Sequence, residues 1–257
     1  MKLIKYAFLL SFLFSLVSCF EVSEEIHINR NGTGTLSVKT DMGQLFEMLQ
    51  TFMSAEDLEK SQFAMVKDTT IHMKDFIDTA KDITKENKAL LRDGTVKMEM
   101  NAPEKIFRVN LIFPFKKVKD LPAIYQNMDK GGGMANLMQG LGNENAAAAP
   151  APDMKQPGSF YEFEAGKNSF SRKINRKKYE EVMNDSMMRQ LKQMGGMGMG
   201  NAFGEMKMTT SITLPKAAKK VTGTKAVLSS DKKTVIVKAN MLDMFEKPED
   251  YEFTVTW

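Results

Sequence analysis

Phe107, Val109, Leu111, Phe113 and Phe115 put an apolar side chain at every second position of one stretch. Side chains of a β-strand alternate between the two faces of a sheet, so this spacing predicts a strand with one face buried and one wet. Such a face has to be covered by another layer, which makes a packed sheet the organising element of the fold. Weaker alternation recurs at Ile26 and Ile28, at Leu36 and Val38, and at Val96, Met98 and Met100. It recurs again at Met206, Met208, Thr210, Ile212 and Leu214. Asn31-Gly32 between the first two runs predicts a hairpin closed by a type I′ turn.

Helical spacing follows these strands. Asp41 is expected to open a helix whose face carries Leu45, Phe46, Leu49, Phe52 and Met53. A second face, from Met73 through Phe76, Ile77, Ala80 and Ile83 to Leu91, is expected to stop at Asp93-Gly94. Val118, Leu121, Ile124, Tyr125 and Met128 form a third face, and Tyr179, Val182, Met183, Met187, Leu191 and Met194 a fourth. Strands around Phe163 and from Phe170 to Ile174 precede the fourth. The expected fold class is therefore α+β. It has one antiparallel sheet of hairpin-then-helix units, amphipathic helices on one face and a C-terminal part made entirely of strands. Further strands are expected at Lys225 to Leu228, Thr234 to Ala239 and Tyr251 to Trp257.

The N-terminus constrains location. Lys2 and Lys5 precede a nearly unbroken apolar run from Tyr6 to Val17, a secretory pattern too short for a stable spanning helix. The run ends in Leu16-Val17-Ser18-Cys19, which resembles the bacterial lipobox, and Cys19 is the chain's one cysteine. One thiol is no use as an internal disulfide but suffices for a lipid anchor, and several acyl chains at about 0.8 kcal/mol per buried methylene hold firmly. The expected division is a signal peptide over 1–18, a lipidated tether over 19–25 and one α+β domain over 26–257. Residues 131–158, rich in Gly, Ala and Pro, are expected to form a disordered insertion, and 195–204 a Gly/Met loop. Phe20 after the cysteine points to the outer membrane. Glu21, Glu24 and Glu25 read as a solvated tether, with an acidic export tag as the alternative.

Several candidates for chemistry stand out, each beside a plainer explanation. Of 22 methionines, Met183, Met187, Met194, Met197, Met199, Met206 and Met208 crowd one region. Thioethers are soft ligands for Cu(I) or Ag(I), but the same residues fit a packed helix face and strand face. Arg172, Lys173, Arg176, Lys177 and Lys178 could meet anionic head groups or an acidic partner, or form a solvated face. Asp75, Asp78, Asp82 and Glu86 share one helical face with interleaved lysines, which favours exposed salt bridges over acid–base work. His27 and His72 have no partner that spacing identifies. No nucleophile elbow, zinc-protease helix motif or phosphate loop is present, so no catalytic, metal or cofactor residue is assigned. The net charge of +4 includes Lys2 and Lys5, and so near a balance gives no reason for a polyanionic partner.

The lipobox, the Asn-Gly hairpin, the strand from Ile106 to Phe115, and Ile212-Thr213-Leu214-Pro215 followed by Val221-Thr222-Gly223 together resemble LppM-type bacterial envelope lipoproteins. No C-terminal transmembrane helix is expected after Trp257, a departure from that pattern. The resemblance implies no catalytic residues. The expected function is that of a non-enzymatic, lipid-anchored cell-envelope module. It would be held at the outer membrane by lipid on Cys19, with no other cofactor and no nucleic acid, and would bind a protein partner or lipid. A Met-based Cu(I)/Ag(I)-binding protein is the alternative.

Overall fold

A computed structural model of the chain describes residues 20–43, 66–78, 83–130, 160–184 and 206–257. Twelve strands among these residues form two sheets. They are β1 (Phe20–Ile28), β2 (Gly34–Asp41), β3 (Lys67–His72), β4 (Thr95–Asn101), β5 (Ile106–Phe115), β6 (Tyr161–Gly166), β7 (Ser169–Ile174), β8 (Met206–Thr213), β9 (Lys220–Thr222), β10 (Ala226–Leu228), β11 (Thr234–Asn240) and β12 (Phe253–Thr256). The helices are α1 (Lys74–Ile77), α2 (Lys85–Leu91), α3 (Leu121–Lys130), α4 (Arg176–Met183) and α5 (Met241–Glu246). The α+β expectation holds, but the single sheet divides. Eight strands run in the order β10-β11-β8-β1-β2-β5-β4-β3, and four in the order β6-β7-β12-β9.

The registers explain the burial. Ile26 lies opposite Leu36 and Ile212, Leu36 opposite Phe113, and Val96 opposite Leu111. These residues line one face of the large sheet and are buried. The other face carries charges paired across strands: Lys39 with Glu25 at 2.8 Å, Arg108 with Asp41 at 3.0 Å, and Lys97 with Asp68 at 3.8 Å. Phe170, Phe253 and Val255 supply the buried face of the small sheet. Helix α3 packs on β6 and on α2, and α5 packs on β8 and β11. A twisted sheet with one apolar face needs such cover, and the second sheet provides part of it.

Several local expectations are corrected. The acidic tether over 19–25 is not a tether, because β1 already begins at Phe20. The Asn31-Gly32 turn is not type I′. Only Gly32 has a positive φ, at 83°, and Gly32 N–H donates to Asn29 O while Asn29 N–H donates to Thr33 O. That is a three-residue loop with glycine in the left-handed position. Asp41 ends β2 instead of opening a helix, and the rest of that expected helix lies outside the described residues. The long helix from Met73 to Leu91 is broken: β3 precedes it, and Thr84 caps a new helix, its hydroxyl accepting from Asn87 N–H at 3.4 Å. The C-terminal part is not all strand, since α5 and a 3-10 turn at Pro248–Tyr251 interrupt it. The pairing of β1 with β8 is parallel, which period-two alternation cannot distinguish from antiparallel. The 131–158 insertion and the 195–204 loop lie outside the described residues.

Candidate functional site

Charged side chains converge inside the protein. On β1, Glu24 shares the inward register of Ile26 and Ile28 and is 4% exposed. Directly opposite it on β8 stands Thr210, also buried. Arg172 occupies an inward position of β7 between Phe170 and Ile174, and it is 2% exposed. Its Nε donates to the Tyr251 carbonyl at 3.0 Å, and its Nη1 donates to Thr210 Oγ1 at 3.3 Å. The guanidinium lies 4.9 Å from the Tyr161 ring centre and 5.1 Å from that of Phe253. Arg172 therefore bridges the two sheets.

Tyr125 of α3 completes the cluster, its ring stacked on Phe163 with centres 3.8 Å apart. Burial pushes the Tyr125 phenol well above its usual value; the Glu24 carboxylate adds to this, and Arg172 opposes it. Burial lowers Arg172, against the opposing pull of Glu24 and the tyrosines, yet an arginine remains cationic at any physiological pH. Oε2 of Glu24 and the Tyr125 hydroxyl are buried and have no hydrogen-bond partner among the described residues. The buried Arg172 guanidinium, held by a carbonyl, a hydroxyl and two aromatic faces, acts as a joint between layers.

The residues singled out from sequence do not gather into one site. Cys19 lies outside the described residues, one position before β1. The basic run is divided: Arg172 is in the core, Arg176 pairs with Glu249 at 2.7 Å, and Lys178 lies 3.8 Å from Glu162. Lys173 and Lys177 are exposed. The run is thus not one basic face, because strand alternation turns Arg172 inward while its neighbour turns out. Asp75 and Glu86 are exposed on separate helices, Asp78 binds Arg92 through both carboxylate oxygens, and Asp82 lies outside the described residues. His27 and His72 are exposed. Met183 and Met208 pack against the core, while Met187, Met194, Met197 and Met199 lie outside the described residues. Among the described residues no three His, Cys, Asp or Glu side chains are grouped to hold a metal ion. No helix among them is long and apolar enough to cross a membrane.

The buried joint left a trace in the sequence. Glu24 stands two before Ile26, and Arg172 stands between Phe170 and Ile174, so each is a charge in the apolar phase of its strand. Grouping them with neighbouring charges as a tether and a basic run hid that phase.

A scan against protein-family models finds no match, and a search of curated proteins finds none. Among solved structures, the folded domain of LppM from Mycobacterium tuberculosis, determined by NMR, is similar at a TM-score of 0.34 and 8% identity, over 93% of this chain and 88% of that one. This is a distant structural relation at most.

Proposed function

We propose that the chain is a lipid-anchored protein of the bacterial cell envelope, held at the outer membrane through Cys19 and acting as a non-enzymatic binding or interaction module. One observation carries this reading. The chain has a positive start, a short apolar run and Leu16-Val17-Ser18-Cys19, and a central strand of the large sheet begins at the very next residue. A lipid on Cys19 would join the bilayer to β1 with no intervening tether, so the anchor would orient the whole sheet. The strongest constellation of charge among the described residues supports a non-enzymatic role, because it is built as a buried joint with Arg172 in the core.

Metabolic labelling with a radioactive fatty acid tests the reading. The wild-type chain takes up label and sediments with membranes after a high-salt wash. Cys19→Ala takes up none and leaves the outer-membrane fraction. Label retained by Cys19→Ala, or none in the wild type, would sink the anchor.

A further inference from the structure

The end of the large sheet away from Cys19 is a concentrated positive surface. The pairings Ile28 with Gly34, Gly34 with Phe115, His27 with Thr213 and Thr213 with Thr234 bring five neighbouring strands to one level. Residues 29–33, 116–120, 214–219 and 229–233 extend from that level. Together they contain eight basic residues, among them Arg30, Lys116, Lys117, Lys216, Lys232 and Lys233, against two aspartates. That is a surplus of six charges, where the whole chain has +4. The rest of the protein is therefore net negative, and the charge is segregated.

The loops hold this arrangement in place. Leu214 N–H donates to Lys233 O and Ala218 N–H to Lys232 O, each at 2.7 Å. Both aspartates are engaged with local backbone: Asp231 accepts from Lys233 N–H at 3.0 Å and Asp120 from Lys117 N–H at 3.0 Å. None of the eight cations makes an ion pair among the described residues, unlike the charges on the sheet's outer face. Five strands spaced at about 4.8 Å make this end roughly 20 Å wide, and the nine residues of β1 set it about 30 Å from the start of that strand at Phe20.

We infer that this end docks an acidic polysaccharide presented on the side away from the anchor. Seven of the eight cations are lysines, compact point charges suited to an irregular array of anions and not to one bidentate ligand. These loops carry no aromatic residue on which nucleobases could stack. The large exposed apolar residues among those described, Val66 and Val227, lie outside the loops, so nothing on them is suited to insertion into a bilayer. Asn29, Asn31, Thr33, Ser229 and Ser230 add hydroxyl and amide groups suited to a polymer of sugars. The inference rests on the proposed anchor for its direction alone.

The test uses the full chain in non-ionic detergent. Binding is measured to dextran sulfate, polygalacturonate, neutral dextran, and vesicles of phosphatidylglycerol in phosphatidylcholine. Charge reversal at Lys116, Lys117, Lys232 and Lys233 is expected to weaken binding to both acidic polymers at least about tenfold, and glutamine at the same positions to weaken it less. Reversal at the exposed Lys74, Lys173, Lys177 and Lys225 is expected to change it less than about twofold. Equal loss in both variants, equal binding to neutral dextran, or tighter binding to the vesicles than to the polymers overturns the inference. Polymer binding by a chain whose Cys19 takes up no fatty acid overturns the anchor and leaves the surface standing. An anchored chain that ignores the polymers does the reverse.

Discussion

Arg172 holds its charge inside the protein, and its neighbours are chosen accordingly. A carbonyl and a hydroxyl take its N–H groups, and two rings cover its faces. Arg172→Ala removes these contacts and opens a cavity between the two sheets, so a loss of about 2–5 kcal/mol is expected by urea denaturation. Combining Arg172→Met with Glu24→Gln should cost less than the sum of the two, because neither change then strands a charge. The Tyr125 hydroxyl is the opposite case. It is buried and without a hydrogen-bond partner among the described residues, so Tyr125→Phe keeps the stacked ring and is expected to be neutral or to stabilise by up to about 1 kcal/mol. A loss above about 1 kcal/mol in that variant would show that the hydroxyl has a partner, Glu24 being the candidate.

At the scale of the element, the first hairpin shows one residue type doing two jobs. Gly32 sits at φ 83° with open space where a Cβ would stand. Gly32→Ala therefore carries a purely conformational cost of about 1–2 kcal/mol. Gly34 has ordinary backbone angles, but a Cβ there would run into the His27 carbonyl and the Phe115 ring. The carbonyl is backbone and cannot swing away, so Gly34→Ala is expected to cost at least as much as overpacking a core, about 1–3 kcal/mol. Thermal melts of the two variants check the order. Asn31-Gly32 was legible as a turn because glycine favours left-handed backbone. Gly34 was not, because its constraint is what the strands on either side bring against it: the His27 carbonyl of β1 and the Phe115 ring of β5.

For the whole molecule, the tyrosines link burial to pH. Burial is the leading cause that raises Tyr125, Tyr161, Tyr179 and Tyr251 above the usual phenol value. Tyr161 donates its hydroxyl proton to Pro248 O at 2.8 Å and Tyr179 to Phe245 O at 2.6 Å. Since the folded values are raised, their contribution to stability is complete below the unfolded value of about 10 and is lost as pH rises above it. Denaturation in urea at stepped alkaline pH is expected to show stability flat up to about pH 10 and falling beyond, with phenolate absorbance rising together with unfolding. Phenolate appearing well before unfolding would show that these hydroxyls are open to water. Net charge is a whole-molecule quantity too, and here it misleads. A total of +4 suggested no polyanionic partner, yet it sums a strongly positive end and a net negative remainder.

The sequence by itself determined the period of each strand, the α+β class, the turn at Asn31-Gly32 and the pairing of a hairpin with a helix in β4–β5–α3 and β6–β7–α4. These follow from local rules, in which side-chain direction repeats every two residues in a strand and every 3.6 in a helix. Tertiary structure alone decided what lies opposite what. It divided the strands between two sheets, set β8 parallel to β1, and put α5 between two of the expected strands, in a part expected to hold strands only. It turned Arg172 of one sheet onto Thr210 of the other, 38 positions away in the sequence. It also gathered basic residues from four separate loops at one end of a sheet. The physical reason is the same in each case: alternation says which way a side chain points from its own strand, and only strand order and register say what it meets there.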